Sequence, residues 1–179
     1  LLISKISQLR CLIDSSDQLR WNRIADLTHQ KLLEIASANS DIHLTFRYKT
    51  TDQDQVACIK KLVEEQKLPN VEFVSRGPII DTLHDARVVV GHNTTAIFEA
   101  MAMGKKCIVP HYEEALLPIF EGRLIDFGGG VFRANSLEEL SEQVLQAVNC
   151  TEDTLYFNDQ HRLELDRWVG NSDGNASLR

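Results

Sequence analysis

The stretch that most limits the fold runs from Arg87 to Pro110. Val88, Val89 and Val90 form a β-branched run with no polar break. Such a run suits a strand buried on both faces of a parallel sheet. Gly91 ends it. Asn93, Thr94 or Thr95 is expected to cap a following helix, because each offers a side-chain oxygen to the unpaired N–H groups of a first turn. Ala96, Ile97, Ala100, Met101 and Met103 give that helix a wide apolar face. Gly104 stands where a helix takes its left-handed stop. Cys107, Ile108 and Val109 make a second buried strand, closed by Pro110. The stretch predicts a strand–helix–strand unit.

The same alternation continues on both sides. Strands are expected at 1–4, 42–49, 71–74 and 131–134, and helices at 17–38, 52–66, 79–85, 136–148 and 158–169. Thr51 or Asp52 caps the second of these helices, and Ser136 with Glu139 reads as a capping box. Strands alternating with helices predict an α/β fold: a Rossmann-like, doubly wound, mainly parallel sheet of about six strands with a C-terminal helix. Residues 1–150 form that domain. The polar tail 151–179 is expected to pack back on it or on a missing N-terminal half. His29 reads as a surface or boundary residue. Gly128-Gly129-Gly130 lacks the G-x-G-x-x-G order of a dinucleotide loop and reads as a flexible turn.

Composition narrows the function classes. A net charge of −7 and a pI near 5.3 argue against a nucleic-acid or anionic-membrane surface. Cys11, Cys58, Cys107 and Cys150 form no C-x-x-C pair, so metal and redox motifs are absent and buried free thiols are expected. No stretch reaches the roughly 18 apolar residues of a membrane span, and no signal peptide is visible. A cytoplasmic location follows, with peripheral association at the inner face of a membrane still open. The chain begins at Leu1, inside a strand-like run, and is expected to be cut from a longer protein.

The candidate site lies at the carboxyl ends of the strands, where ligands bind in open α/β sheets. There Gly91-His92-Asn93-Thr94-Thr95 opens into a helix N-terminus, a natural place for an anion. The threonine hydroxyls suit a phosphate or diphosphate. Glu99, about one turn on, can accept hydrogen bonds from ribose hydroxyls. Caps and a solvated glutamate would explain the same residues. Arg47 and Lys49, at the end of their strand, either neutralise a phosphate or simply face solvent. His92, between strand and helix, is the candidate catalytic residue. His111 leaves the next strand and can act on a phosphate or an acceptor hydroxyl. Glu113 and Glu114 are either sugar contacts, bases or a solvated pair.

The string from Gly91 to Pro110 resembles the nucleotide-binding signature of GT-B glycosyltransferases, and in particular of bacterial capsule and surface-polysaccharide enzymes. Lys106 departs from the pattern, where many members carry proline. The ending Asp173-Gly174-Asn175-Ala176-Ser177-Leu178-Arg179 resembles that of several surface-polysaccharide and teichoic-acid transferases. The resemblance implies half of a GT-B architecture, its C-terminal donor-binding half. It makes Thr94 and Thr95 the phosphate-contacting pair and Glu99 the acidic residue near the donor nucleotide. It places Arg76 and Gly77 where the loop contacts the donor base, although Arg76 also reads as a surface charge. It puts Ser4, Lys5 and Ser7 at the cleft. The Lys-Pro-His segment that often ends the second strand in such enzymes is here Arg47-Tyr48-Lys49. The implied partners are a nucleotide-activated sugar and a glycan or lipid-linked acceptor reached through the missing half. No cofactor and no metal is required. The alternatives are a nucleotide-sugar 2-epimerase, which shares the pattern, and a non-catalytic nucleotide-binding or interaction module of a larger protein.

Overall fold

The computed structural model describes residues 2–3, 22–48, 53–150 and 158–170. The predicted elements that fall outside them, including the loop at Ser4, Lys5 and Ser7, Lys49, the caps Thr51 and Asp52, and the terminal 173–179 ending, lie outside the described residues. In chain order the elements are β1 (Leu2–Ile3), α1 (Asn22–Ala38), β2 (Leu44–Arg47), α2 (Gln53–Gln66), β3 (Val71–Val74), α3 (Ile79–His84), β4 (Val88–Gly91), α4 (Ala96–Ala102) and β5 (Lys106–Pro110). Three single 3-10 turns (Glu113–Leu116, Pro118–Phe120, Gly128–Gly130), β6 (Phe132–Ala134), α5 (Leu137–Asn149) and α6 (Asp159–Val169) complete the described fold.

The six strands form one parallel sheet in the order β3-β2-β1-β4-β5-β6. This is the Rossmann order, with the chain reversing direction across the sheet between β1 and β4. Register is continuous: Phe73, Phe46, Leu2, Val90, Ile108 and Phe132 stand side by side across all six strands. The period-2 alternation of a strand then sorts the side chains onto two faces. Val88, Val90 and Ile108 join one core with α1, α2 and α5 residues, among them Leu33, Ile59 and Val144. Val89 and Cys107 join the other with Leu83, Ile97, Met101 and Leu165 from α3, α4 and α6. Both faces are covered, which is why the valine run has no polar break.

Local signals explain the element ends. Gly104 takes φ +65°, Lys105 N–H reaches Ala100 O at 3.0 Å and Gly104 N–H reaches Met101 O at 2.9 Å, a Schellman stop for α4. Ser136 Oγ caps α5 by accepting from Glu139 N–H at 3.1 Å. The return bond is displaced by one residue, for Glu139 accepts from Asn135 N–H at 2.6 Å. Asn158 and His161 form a reciprocal capping box at the start of α6.

Three expectations are corrected. His29 is buried at 4% exposure and meets Phe46 edge-on at 5.5 Å. The three glycines are a packed seat rather than a flexible turn. A Cβ at Gly128 would lie 1.9 Å from Glu164 Oε1 of α6, and one at Gly130 would lie 2.3 Å from Met101 Cε of α4, so a side chain at either position would displace a packed neighbour. Among the described cysteines only Cys107 is buried, and burial pushes its thiol up to about 12; Cys58 is exposed and Cys150 intermediate.

Candidate functional site

The register carries Val74, Arg47, Ile3 and Gly91 to one row at the carboxyl edge, with Arg47 two strands from Gly91, roughly 10 Å. Val109 and Arg133 end the same edge on β5 and β6. The β1–β4 reversal opens this edge beside the β4 loop. A cavity of about 650 Å³ lies at the opposite, amino edge, against Asp41, His43 and Arg87. It is larger than its carboxyl-edge counterpart, yet it sits away from the end where open α/β sheets bind ligands.

The β4 loop departs from simple capping. No side chain caps α4 at Thr95. Asn93 takes a left-handed φ of +44° and turns its Oδ1 away, to accept from Ile125 N–H at 2.9 Å. The Thr94 hydroxyl is buried at 3% exposure and accepts from Ala96 N–H at 3.4 Å. Thr95 and Glu99 are exposed. Of the hydroxyl pair, therefore, Thr95 faces solvent and Thr94 faces the protein. His92 is half-buried behind them, with Nδ1 3.2 Å from Pro110 O. A carbonyl only accepts, so Nδ1 carries the proton and the imidazole is neutral with Nε2 as its basic atom. Desolvation lowers the His92 pKa to about 4, against a raising effect of the Pro110 bond.

On the β2–β3 side Arg47 donates its two terminal nitrogens to the carbonyls of Arg76 and Gly77. Gly77 has φ +82°, a conformation that favours glycine. The structure thus brings Arg47, Arg76 and Gly77 together: Arg47 shapes the 76–77 loop and leaves the exposed Arg76 side chain as the outward cation. Beside them Lys60 hydrogen-bonds the Tyr48 phenol at 3.1 Å, and with Ser75 it holds that phenol below its usual pKa.

On the β4–β6 side His92, Asn93 and His111 converge on a cavity of about 460 Å³. Burial, and then the Arg133 charge, lower the His111 pKa. The cavity's outer wall is residues 115–127, and it is firmly held. Glu114 accepts from Arg23 N–H and Ile24 N–H, both at 2.8 Å, at the start of α1. Glu113, at φ +51°, pairs with Arg23 at 3.0 Å, and Tyr112 and Thr28 hydroxyls meet at 2.5 Å. Glu113 and Glu114 are therefore braces, not a solvated pair. Asp126 joins the wall to α6. Its carboxylate accepts from Gly128 N–H at 3.0 Å and Arg133 at 3.1 Å and faces Arg167 at 3.5 Å, and its carbonyl accepts from Trp168 Nε1 at 3.0 Å. The Gly128 bond chiefly, and the two arginines, hold the Asp126 carboxyl below its usual range.

Asp126, Arg133 and the apolar loop are functional candidates that sequence reasoning passed over. The consecutive Leu116-Leu117-Pro118-Ile119 was the signal for the loop; nothing local marked Asp126. Among the described residues no cluster suited to a metal ion occurs, and no helix is long and apolar enough to cross a membrane.

The fold is similar to that of a solved structure, the glycotransferase of kitacinnamycin, with a TM-score of 0.51 and 18% identity. The likeness covers 99% of this chain and 41% of the other, so the chain spans about two fifths of that protein's length. The chain has a glycosyltransferase-like Rossmann fold. No family model and no curated protein matches the sequence.

Proposed function

We propose that this chain is the donor-binding domain of a glycosyltransferase and holds a nucleotide-activated sugar for bacterial surface-polysaccharide synthesis. The observation that carries the reading is the β1–β4 reversal, with the β4 loop and the Arg47–Arg76–Gly77 ledge on one carboxyl edge. The donor diphosphate lies against the 91–95 loop, where Thr95 offers a hydroxyl and the backbone offers N–H groups. Arg76 supplies charge, with Arg47 anchoring its loop and Lys49, two residues on in the sequence, as a further cation, and Glu99 takes the ribose hydroxyls. The 76–77 loop receives the base. Preorganised donors of this kind stabilise the negative charge that builds on the departing diphosphate. Thr94 supports the loop from within. His92 is the candidate catalytic residue, and His111 acts on the acceptor hydroxyl. No metal is needed for this chemistry. The acceptor, a glycan or a lipid-linked molecule, arrives from outside residues 1–150, the nucleotide-sugar-binding domain, on which α6 packs through Leu165. The protein works in the cytoplasm.

The test is thermal unfolding of the chain with CMP, CDP, UMP, UDP, GDP and ADP. A nucleotide at a hundred times its dissociation constant adds about 2.7 kcal/mol. For a domain of this size that raises Tm by about 5–10 °C. The expected result is a rise with one base, larger for the diphosphate, and lost in the Thr95→Ala, Glu99→Ala double variant. No rise with any nucleotide contradicts the reading.

A further inference from the structure

The cavity at the ends of β4, β5 and β6 has a chemistry of its own. Its volume, about 460 Å³, falls within the roughly 300–1,000 Å³ of small-molecule sites. Apolar side chains make most of its wall: Val109, Leu117, Leu124, Phe127 and Val131 face it. The charged groups offset one another at the rim, where Arg133 pairs with Asp126 at 3.1 Å and both side chains are half exposed. The other polar side chains in the lining include Asn93, whose Oδ1 is already engaged by Ile125, and His92 and His111.

The rim adds a second observation. Leu116, Leu117 and Ile119 are 62%, 39% and 39% exposed, and Pro118 between them is exposed too. Four consecutive apolar residues facing water are costly unless they serve contact. They are not on a loose tip. Buried Ala115 and Phe120 flank them, and the Glu114 and Tyr112 bonds to α1 fix the loop. An apolar ledge held in place therefore runs into an apolar cavity.

These walls do not suit a sugar ring. Such a ring brings a hydroxyl on almost every carbon, and each one buried without a partner costs about 1–3 kcal/mol. They do not suit an anion either, since Arg133 is already paired. We infer that the β4–β6 cavity is a binding site for an uncharged, largely apolar molecule bearing a hydroxyl group, with its apolar body against Val109, Phe127, Val131 and the Leu116–Ile119 ledge and its hydroxyl at His111. Burial and then the Arg133 charge lower the His111 pKa, which favours the neutral imidazole that can hydrogen-bond such a hydroxyl. The further step, that this molecule is the apolar part of the acceptor, rests on the donor-binding reading. Binding itself does not.

The test is a titration of the full chain with 2-naphthol, followed by backbone amide NMR, with methyl α-D-glucoside as the sugar arm. The expected result is saturable binding of 2-naphthol, with shifts centred on residues 109–131, and none by the glucoside. Val131→Trp fills the cavity and is expected to weaken binding at least tenfold. Leu117→Asp, at the exposed rim, places a charge on the ledge without disturbing the core and is expected to weaken it severalfold. Its affinity decides the matter if the tryptophan variant does not fold. No saturable binding, shifts centred elsewhere, displacement by the glucoside, or unchanged affinity in folded variants overturns the inference. A separate titration with UDP keeps the two readings apart. Loss of nucleotide binding with 2-naphthol binding intact refutes the acceptor role and leaves the site.

Discussion

The carboxyl edge of the sheet has two unlike halves. At β2–β3 the edge is an open ledge. Arg47 reaches across and holds the carbonyls of Arg76 and Gly77, and the Arg76 side chain is exposed beside it. At β5–β6 the edge is walled. Residues 115–127 close over a cavity and are tied to α1 by Glu114 and to α6 by Asp126. One sheet thus presents a charged shelf and an apolar pocket a few strands apart. The difference teaches that a shared backbone edge fixes only where the loops start. The loops that leave it fix which chemistry a ligand meets.

The largest expected effect comes from acid, which strikes both halves through buried histidines. His29 lies beneath β2 and His92 beside the pocket, and desolvation lowers each from 6.5 to about 4. Between those values the unfolded chain binds protons that the folded chain refuses. Stability therefore falls as pH drops from about 6.5 towards 4. His29 alone accounts for about 3 kcal/mol by pH 4, and the less buried His92 for a smaller share. Urea unfolding across this range measures the slope, and His29→Leu is expected to remove more than half of it; an unchanged slope would put the proton uptake elsewhere.

Next, Gly128→Ala attacks the walled half alone. The substitution meets a left-handed φ of +53° and the Glu164 carboxylate. It is expected to cost about 3 kcal/mol, strain and overpacking together. That lowers Tm by roughly 6–12 °C, with the loss of α6 protection visible in hydrogen exchange. A smaller loss, about 1–2 kcal/mol, is expected for Glu114→Ala, which strips two N–H groups at the start of α1 of their acceptor. It should also loosen the 115–127 wall, read as faster exchange there, while the β2–β3 ledge keeps its protection. If both regions loosen equally, the halves are not independent.

How much of this was legible in the sequence follows from the range of the forces involved. The valine run, the Gly104 stop and the Ser136 cap are set within a few residues, and periodicity finds them. The ties of Glu114 to α1 and of Asp126 to α6 are not, since they span 91 and 42 residues. The same reason explains the misreadings. Asn93 has a good capping side chain, but Ile125 N–H from the distant wall takes it. The three glycines look flexible until Glu164 and Met101 are packed against them. His29 looks like a surface residue until α1 is laid over Phe46. The carboxyl edge and the β4 loop on it were readable from the β–α alternation. The division of that edge into ledge and pocket needed the fold.

The smallest stability effect belongs to the ledge. Arg47→Ala is expected to change Tm by less than about 2 °C, since exposed polar contacts contribute little. It is expected to weaken nucleotide binding roughly tenfold, about 1.4 kcal/mol, because the 76–77 loop loses its anchor. Calorimetric titration checks it. A matching loss of 2-naphthol binding would erase the distinction between the halves.

The most direct test of the central claim is amide NMR of the chain titrated with the nucleoside diphosphate that raises Tm most. The account predicts shifts clustered at residues 91–95 and 75–77, on either side of the β1–β4 reversal. Shifts clustered at the amino edge, around Asp41, His43 and Arg87, would contradict it.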